Sequence, residues 1–313
     1  MSKIEIPSLE KDGRSSILKQ QNTFTIFTDL KSLFKGPVLI ANVLPVFSGF
    51  WLALYFSDAS FIDNWGLFLL TMLGSTLIMA GALALNNWYD VDIDTVMDRT
   101  KNRPTVTGNI SLQIVLTIAL SLTGLGFILL LFTTVEATFY AFVGWFTYVV
   151  LYTMWSKRRY TFNTVIGSIS GAVTPLIGWT AIAPGFQKVP IILFLILFIF
   201  QMPHTFAIAI KKYSEYKAAK VAMLPVVRGL AVTKWQMMIY IACLVPLPFF
   251  LTALGTTFIV IATLLNIGWL VVSISGFFTK DNLKWAQINF LYSVNYITIM
   301  FLMMVIVTLP IFN

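Results

Sequence analysis

The chain has 313 residues, 58% of them hydrophobic and only 11% charged, with a mean hydropathy of +0.84 and a formal net charge of +8. A soluble globular domain carries about 25% charged residues, so composition excludes one and points to an integral membrane protein. Its one cysteine, Cys243, rules out an intramolecular disulfide and a paired-cysteine metal site, and its apolar surroundings predict a small buried hydrophobe.

Residues 1–30 read as a polar N-terminal segment, without the apolar run and cleavage site of a signal peptide. Residues 31–313 read as one membrane-embedded, all-α domain, a polytopic bundle of about nine transmembrane helices. The apolar runs cover about 37–56, 65–88, 111–132, 136–155, 164–183, 189–210, 236–254, 257–278 and 288–310. With the N-terminus in the cytoplasm, every basic residue except Lys188 falls in the tail or the inward-facing loops, and the C-terminus is outside. The positive balance therefore reports topology and contact with anionic membrane lipid, not nucleic acid.

The first span opens at Gly36-Pro37, where proline suits a first helical turn. Asn42 and Pro45 within it face the bundle interior, Pro45 as a kink. The second span delivers the stretch around which the chain is organised. Asn86, Asp90, Asp94 and Asp98 recur every four residues, so on a continuous helix they stack on one face, roughly 6 Å apart. Asp92 turns elsewhere. Stacked carboxylates at a helix C-terminus repel one another and oppose the dipole unless a cation binds them. Hard oxygen ligands suit Mg²⁺, which takes one or two carboxylates together with substrate phosphates; Asn86, Asp90 and Asp94 are the candidate ligands. Arg99, Lys101 and Arg103 follow, suited to phosphate oxygens, until Pro104 stops any helix. The same residues also suit an ordinary solvated loop of mixed charge.

The third span is uncharged scaffold, with Gly124 and Gly126 permitting close packing. The fourth ends in Tyr152-Thr153-Met154-Trp155-Ser156-Lys157-Arg158-Arg159, which reads as an aromatic belt with topogenic cations or as a wall of the phosphate site. The fifth is rich in small residues (Gly167, Ser168, Ser170, Gly171, Ala172, Gly178), which allow close helix packing or leave room for a large flat ligand. The sixth carries His204, the only histidine, and runs to Lys211, Lys212 and Glu215. His204 and Glu215 are eleven residues apart, three helical turns, which puts them on one face of a continuous helix. His204 is either a helix-interior hydrogen-bonding group or a ligand contact. Glu215 is either a second wall of the same site or a partner for the surrounding lysines. Asn266, Asn289 and Asn295 in the last spans read as structural.

N-x-x-x-D-x-x-x-D at the end of a span resembles the first aspartate-rich motif of the UbiA superfamily of intramembrane prenyltransferases. The run from Asn86 through D-x-D-I-D, R-T-K-N-R-P and V-T-G resembles one branch, the heme O synthases or protoheme IX farnesyltransferases. Y-T-x-W-x-K-R-x-T-x-x-N from Tyr152, G-x-x-x-G-A-x-x-P-L-I-G-W from Gly167, P-H-x-x-A-x-A from Pro203, E-Y-x-x-A from Glu215 and M-L-P-V-V-x-G from Met223 resemble it too. The resemblance implies a prenyltransferase domain over 31–313, transferring farnesyl from farnesyl diphosphate to a vinyl group of protoheme IX (heme B) to give heme O and diphosphate. It implies Mg²⁺ on Asn86, Asp90 and Asp94, with Glu215 also catalytic. Substrate contacts fall to Arg99, Lys101, Arg103, Tyr152, Lys157, Arg158, Lys211, Lys212 and, against porphyrin, His204. It further implies a bacterial plasma membrane, an active site on the cytoplasmic side, and contact with a heme A synthase or terminal oxidase assembly. In one respect the chain departs from the pattern: the superfamily shows two aspartates four apart in its second motif, and here Glu215 stands alone with Ala219 four residues on. Whether a second Mg²⁺ binds there is left open. Two other readings stay open: prenylation of a quinone precursor, and secondary transport of an anionic substrate through helices interrupted at Pro45, Pro175 and Pro203. Transport calls for charge near the midplane, whereas these charges gather at one face.

Overall fold

A computed structural model describes residues 26–309, all helix and connecting turns. Of the polar segment expected over 1–30, residues 1–25 lie outside those described, and 26–30 belong to a helical stretch over 26–33. The principal helices are α1 (Gly36–Phe56), α2 (Trp65–Tyr89), α3 (Leu112–Leu131), α4 (Val135–Phe146, continued by a π-helix over Thr147–Ser156), α5 (Asn163–Ala172), α6 (Thr174–Thr180), α7 (Lys188–Lys211), α8 (Leu224–Leu244), α9 (Gly255–Ser275) and α10 (Asn282–Ile306). Among the described residues eight helical runs are long and apolar enough to cross a membrane. The fifth expected span is the exception, split into α5 and α6. Pro175 has no N–H for the carbonyl of Gly171, and the Thr174 hydroxyl donates to that oxygen instead, at 2.7 Å.

Lipid is as apolar as leucine, so helices associate here through close packing rather than through the hydrophobic effect. Glycines set the closest approaches. A Cβ on Gly178 would stand 1.9 Å from the Val46 carbonyl oxygen, and one on Gly49 would stand 2.0 Å from that of Pro175, so α6 lies directly on α1. Gly126 meets Gly74 in the same way where α3 crosses α2, while Gly124, expected to share that role, faces open space. The core is centred on α7, which packs against α5, α8 and α10, and α10 returns to α1. Asn266 donates to the Leu244 carbonyl at 2.9 Å and Asn289 accepts from the Trp269 indole at 3.3 Å, both structural as expected.

Two expectations are corrected along α8. It ends at Leu244 instead of continuing to 254, because Pro246 and Pro248 interrupt the α ladder and 3₁₀ turns over Leu247–Phe250 and Thr252–Leu254 take its place. Cys243 is exposed, not buried, on the outer face of this helix, where an apolar sequence meets lipid rather than core.

Candidate active site

The acidic stretch forms three rungs, not four. Helix α2 ends at Tyr89, and Asp90 is its cap, with φ −90° and ψ 9°. The helical spacing survives this break, because the Asp90 N–H bonds to Asn86 O at 3.0 Å and the Asp94 N–H to Asp90 O at 2.9 Å through the turn Val91–Asp94. The Asn86 carboxamide accordingly donates to Asp90 Oδ2 at 2.8 Å. The chain then leaves the helix. Asp98, expected as the fourth rung, has a side chain 79% exposed that pairs with Lys101 at 2.7 Å. Asp92 faces elsewhere as expected, holding Arg158 through two hydrogen bonds of 2.6 and 2.7 Å.

Each oxygen-bearing rung meets cations. Asp90, with a fully buried side chain, is bonded by the Lys157 ammonium, and Arg158 reaches its other oxygen at 3.5 Å. Arg103 bonds to Asp94, and Lys35 donates to the Asn86 amide oxygen. Asn86 also donates to Thr153 Oγ1 at 3.0 Å. Removing one partner from such a buried pair leaves an uncompensated charge, at a cost of about 3–5 kcal/mol. Of the three cations that follow the acids, then, only Arg103 reaches a rung; Lys101 turns outward, and Arg99 is exposed with no ion pair among the described residues.

Lys35 is a functional candidate that sequence patterning counted only as a topogenic charge. It lies in the left-handed region, φ 47° and ψ 54°, between the 26–33 stretch and α1, a conformation that costs a non-glycine residue about 1–2 kcal/mol. Burial pushes its ammonium well below the usual lysine range, and the Arg103 and Lys157 charges push the same way. The Arg158 guanidinium beside Asp92 holds that carboxyl below the usual carboxylate range.

The π-helix Thr147–Ser156 closes with the Lys157 N–H on Tyr152 O at 2.9 Å. Most π segments are single-turn bulges, often at functional sites; this one runs for ten residues. It turns Tyr148 and Tyr152 into a cavity of about 230 Å³ and leaves Thr153 on Asn86 and Lys157 on Asp90. The acids and their cations do not line this cavity; the π-helix joins the two, with Tyr152 in the cavity wall and the next residue, Thr153, accepting from Asn86. Asn42 of α1, Trp145, Gly167, Gly171, Gln201 and Thr205 also line the cavity. The small residues of the fifth span serve close packing, with Gly178 on α1, and the space above Gly167 and Gly171 is filled by the side chains of Tyr152 and Gln201.

Beyond α7 the arrangement is local. The helix stops at Lys211, Lys212 takes φ −111° and ψ 27°, and Glu215 sits on a separate helix, Tyr213–Ala218. The expected shared face of His204 and Glu215 is therefore broken: the helical phase is lost at Lys212. Lys212 bonds to Glu215 Oε1 at 2.7 Å, while Oε2 is buried without a partner. His204 Nδ1 meets Ser293 Oγ at 2.7 Å, with its ring against Phe200 and Phe290. It thus faces α10, while Gln201 and Thr205 of the same helix face the cavity. The Lys211 ammonium lies 4.2 Å from the Phe290 ring centre. Ile93, packed with Tyr216, Val221 and Met223, joins the two acidic segments through an apolar contact.

No cluster of three or more His, Cys, Asp or Glu suited to a metal occurs among the described residues. Asn86, Asp90 and Asp94 nonetheless offer an all-oxygen, buried set, which fits a hard cation whose other ligands come from phosphate and water. Unpartnered Glu215 Oε2 is a further oxygen of the same kind.

A model of the UbiA prenyltransferase family matches residues 42–295. A protein of Oceanobacillus iheyensis named protoheme IX farnesyltransferase is 55% identical over 314 residues, covering 100% of both chains. A solved digeranylgeranylglyceryl phosphate synthase structure superposes with a TM-score of 0.71 at 17% identity, covering 90% of this chain and 98% of the other. A UbiA homolog from Archaeoglobus fulgidus bound to DMAPP and Mg²⁺ gives 0.65 at 15% identity, covering 87% and 99%.

Proposed function

The chain belongs to the UbiA prenyltransferase family, and from that premise we propose that it transfers the farnesyl group of farnesyl diphosphate to a vinyl group of protoheme IX, with one water adding to the vinyl carbon left cationic, yielding heme O and diphosphate. One observation carries the reading: Lys35, Arg103, Lys157 and Arg158, from three separate parts of the chain, converge on Asn86, Asp90 and Asp94 beside a membrane-embedded cavity. The heme acceptor is supported by the name of the Oceanobacillus iheyensis relative. A prenyl diphosphate and Mg²⁺ are supported by the ligands of the Archaeoglobus fulgidus homolog.

Asn86, Asp90 and Asp94 would hold Mg²⁺, which neutralises charge as it builds on the departing diphosphate. Lys35, Arg103, Lys157 and Arg158 now satisfy the acids, and they supply N–H donors to diphosphate oxygens as the substrate enters. Arg99 and Lys101 stand further out, at the rim. The largely apolar wall of the cavity limits the access of water to the farnesyl cation, and the faces of Tyr148, Tyr152 and Trp145 stabilise positive charge beside them. Glu215, with one oxygen free, is placed to accept a second cation or a proton. Lys211 and Lys212, at the end of α7, would meet the porphyrin propionates, whereas His204 turns to Ser293 of α10 and supports that helix pair instead of touching the porphyrin. The site opens on the cytoplasmic side of a bacterial plasma membrane, since the basic residues gather at that end.

The test is Mg²⁺-dependent release of diphosphate from purified protein supplied with farnesyl diphosphate and heme, with heme O identified by pigment chromatography. A prenylated quinone precursor in its place, or wild-type heme O from both Asp90→Asn and Asp94→Asn, overturns the reading.

A further inference from the structure

A cavity that receives an isoprenoid inside a bilayer has reason to be apolar, yet this one carries Asn42, Ser75, Thr164, Ser168, Gln201 and Thr205 in its wall. Their hydrogens are largely committed elsewhere. Ser75 donates to the Thr71 carbonyl at 2.6 Å, Ser168 to that of Thr164 at 2.7 Å, and the Asn42 amide to that of Val38 at 2.8 Å. What these groups leave toward the cavity is oxygen lone pairs.

Gln201 is the best defined of them. Its Nε2 donates to two backbone carbonyls, Ser168 O at 3.1 Å and Leu197 O at 3.0 Å. A carboxamide oxygen in that place would face two carbonyl oxygens with nothing to donate, so the nitrogen is held there and the orientation of the amide follows. Oε1 accepts no hydrogen bond among the described residues, and the residue lines the cavity. The seat is also shaped for it: a Cβ on Gly171 would stand 2.5 Å from Oε1 and 2.6 Å from Nε2.

Resting on the proposed function, we infer that Gln201 is the residue that positions the water consumed in the second half of the reaction. The farnesyl C1–O bond breaks and its electron pair leaves with diphosphate. The vinyl π pair forms the new carbon–carbon bond to C1, which leaves a cation on the inner vinyl carbon, next to the porphyrin ring. A water whose hydrogen is held by Gln201 Oε1 presents its own lone pair to that carbon and forms the carbon–oxygen bond. The water proton passes to the released diphosphate, so product and leaving group balance as a hydroxylated farnesyl heme and a hydrogen diphosphate. Without the positioned water, the same cation loses a proton from the adjacent carbon to diphosphate and gives an anhydro olefin. The acceptor-lined wall near Gln201 thus selects alcohol over olefin.

The experiment reads product identity instead of rate. Wild type, Gln201→Leu, Gln201→Glu and Gly171→Ala are incubated with farnesyl diphosphate, heme and Mg²⁺ in ¹⁸O-labelled water, and the pigments are resolved by mass spectrometry. Gln201→Leu is expected to raise the ratio of anhydro to ¹⁸O-hydroxylated product by roughly tenfold, the worth of about one oriented hydrogen bond. Gln201→Glu keeps an acceptor oxygen but sets its other oxygen against the Ser168 and Leu197 carbonyls, so it is expected to retain the alcohol only in part. Gly171→Ala leaves Gln201 chemically intact but pushes its flexible end aside, and shifts the ratio in the same direction. An unchanged ratio in Gln201→Leu or Gly171→Ala overturns the assignment. Should Gln201→Leu give no farnesylated heme, Gly171→Ala decides. A wild-type protein that farnesylates no heme instead refutes the proposed function, which keeps the two failures apart.

Discussion

At the end of α2 all the buried rungs but Asp94, which pairs with Arg103 nine residues on, draw their cations from afar, whereas beyond α7 acid and cation are neighbours. Asp90 is held by a lysine 67 residues away and Asn86 by one 51 residues away. Glu215 takes Lys212 from three residues along, and only one of its oxygens is satisfied. Long-range pairs between buried groups form only when the whole bundle is assembled, and they are undone only at the cost of leaving a charge in low dielectric. The first region is therefore built only with the whole bundle, as the proposed diphosphate centre requires. The second is a local, half-satisfied arrangement.

The hardest way to break this contrast is at Asp90. Asp90→Asn is expected to lower diphosphate release by about 10²–10³-fold, measured with purified protein at saturating Mg²⁺. Next comes Lys157→Met, which strands Asp90 inside the bundle; thermal unfolding in detergent should report a loss of about 3–5 kcal/mol, because the lysine side chain is only 13% exposed and the carboxylate not at all. If Lys157→Met matches wild type, the long-range centre is not built in this way. Glu215→Gln sharpens the other half. Its pair with Lys212 is partly solvated, so stability should change by less than about 1 kcal/mol, while the Mg²⁺ concentration for half-maximal turnover rises severalfold if Oε2 is a ligand.

Asp92→Asn is the mildest. Arg158 depresses the folded-state pKa of Asp92 below its ordinary value of 3.8, so the stabilisation is fully present above that value and is lost as pH falls through the lower folded one. With the Asp92 side chain 64% exposed, screening discounts the effect to below about 1 kcal/mol. The variant should erase a small, salt-sensitive part of the acid unfolding transition between wild-type midpoints measured at low and high ionic strength.

Particular residues show why the reading of the chain stopped where it did. The four-residue spacing of Asn86, Asp90 and Asp94 survived even the helix break at Asp90, because one more hydrogen-bonded turn follows. The same argument failed for Asp98 and for the His204–Glu215 pair, because a spacing rule holds only while the helix continues, and no residue at Thr95 or Lys212 announces the stop as a proline would. Gln201 carried no motif signal distinct from its neighbours, and its orientation depends on a carbonyl 33 residues away.

What the sequence by itself determined is everything governed by short range: apolar runs of bilayer length, the end of the bundle where charge collects, and the periodic oxygens after α2. Only the tertiary structure decided which cation answers which acid, that Lys35 is one of them, that the fifth span is broken, and that a π register divides Tyr152 from Thr153. The reason is physical. Periodicity is set by hydrogen bonds four or five residues long, but a buried charge chooses its partner by proximity in a low-dielectric interior, and that proximity exists only once distant helices have packed.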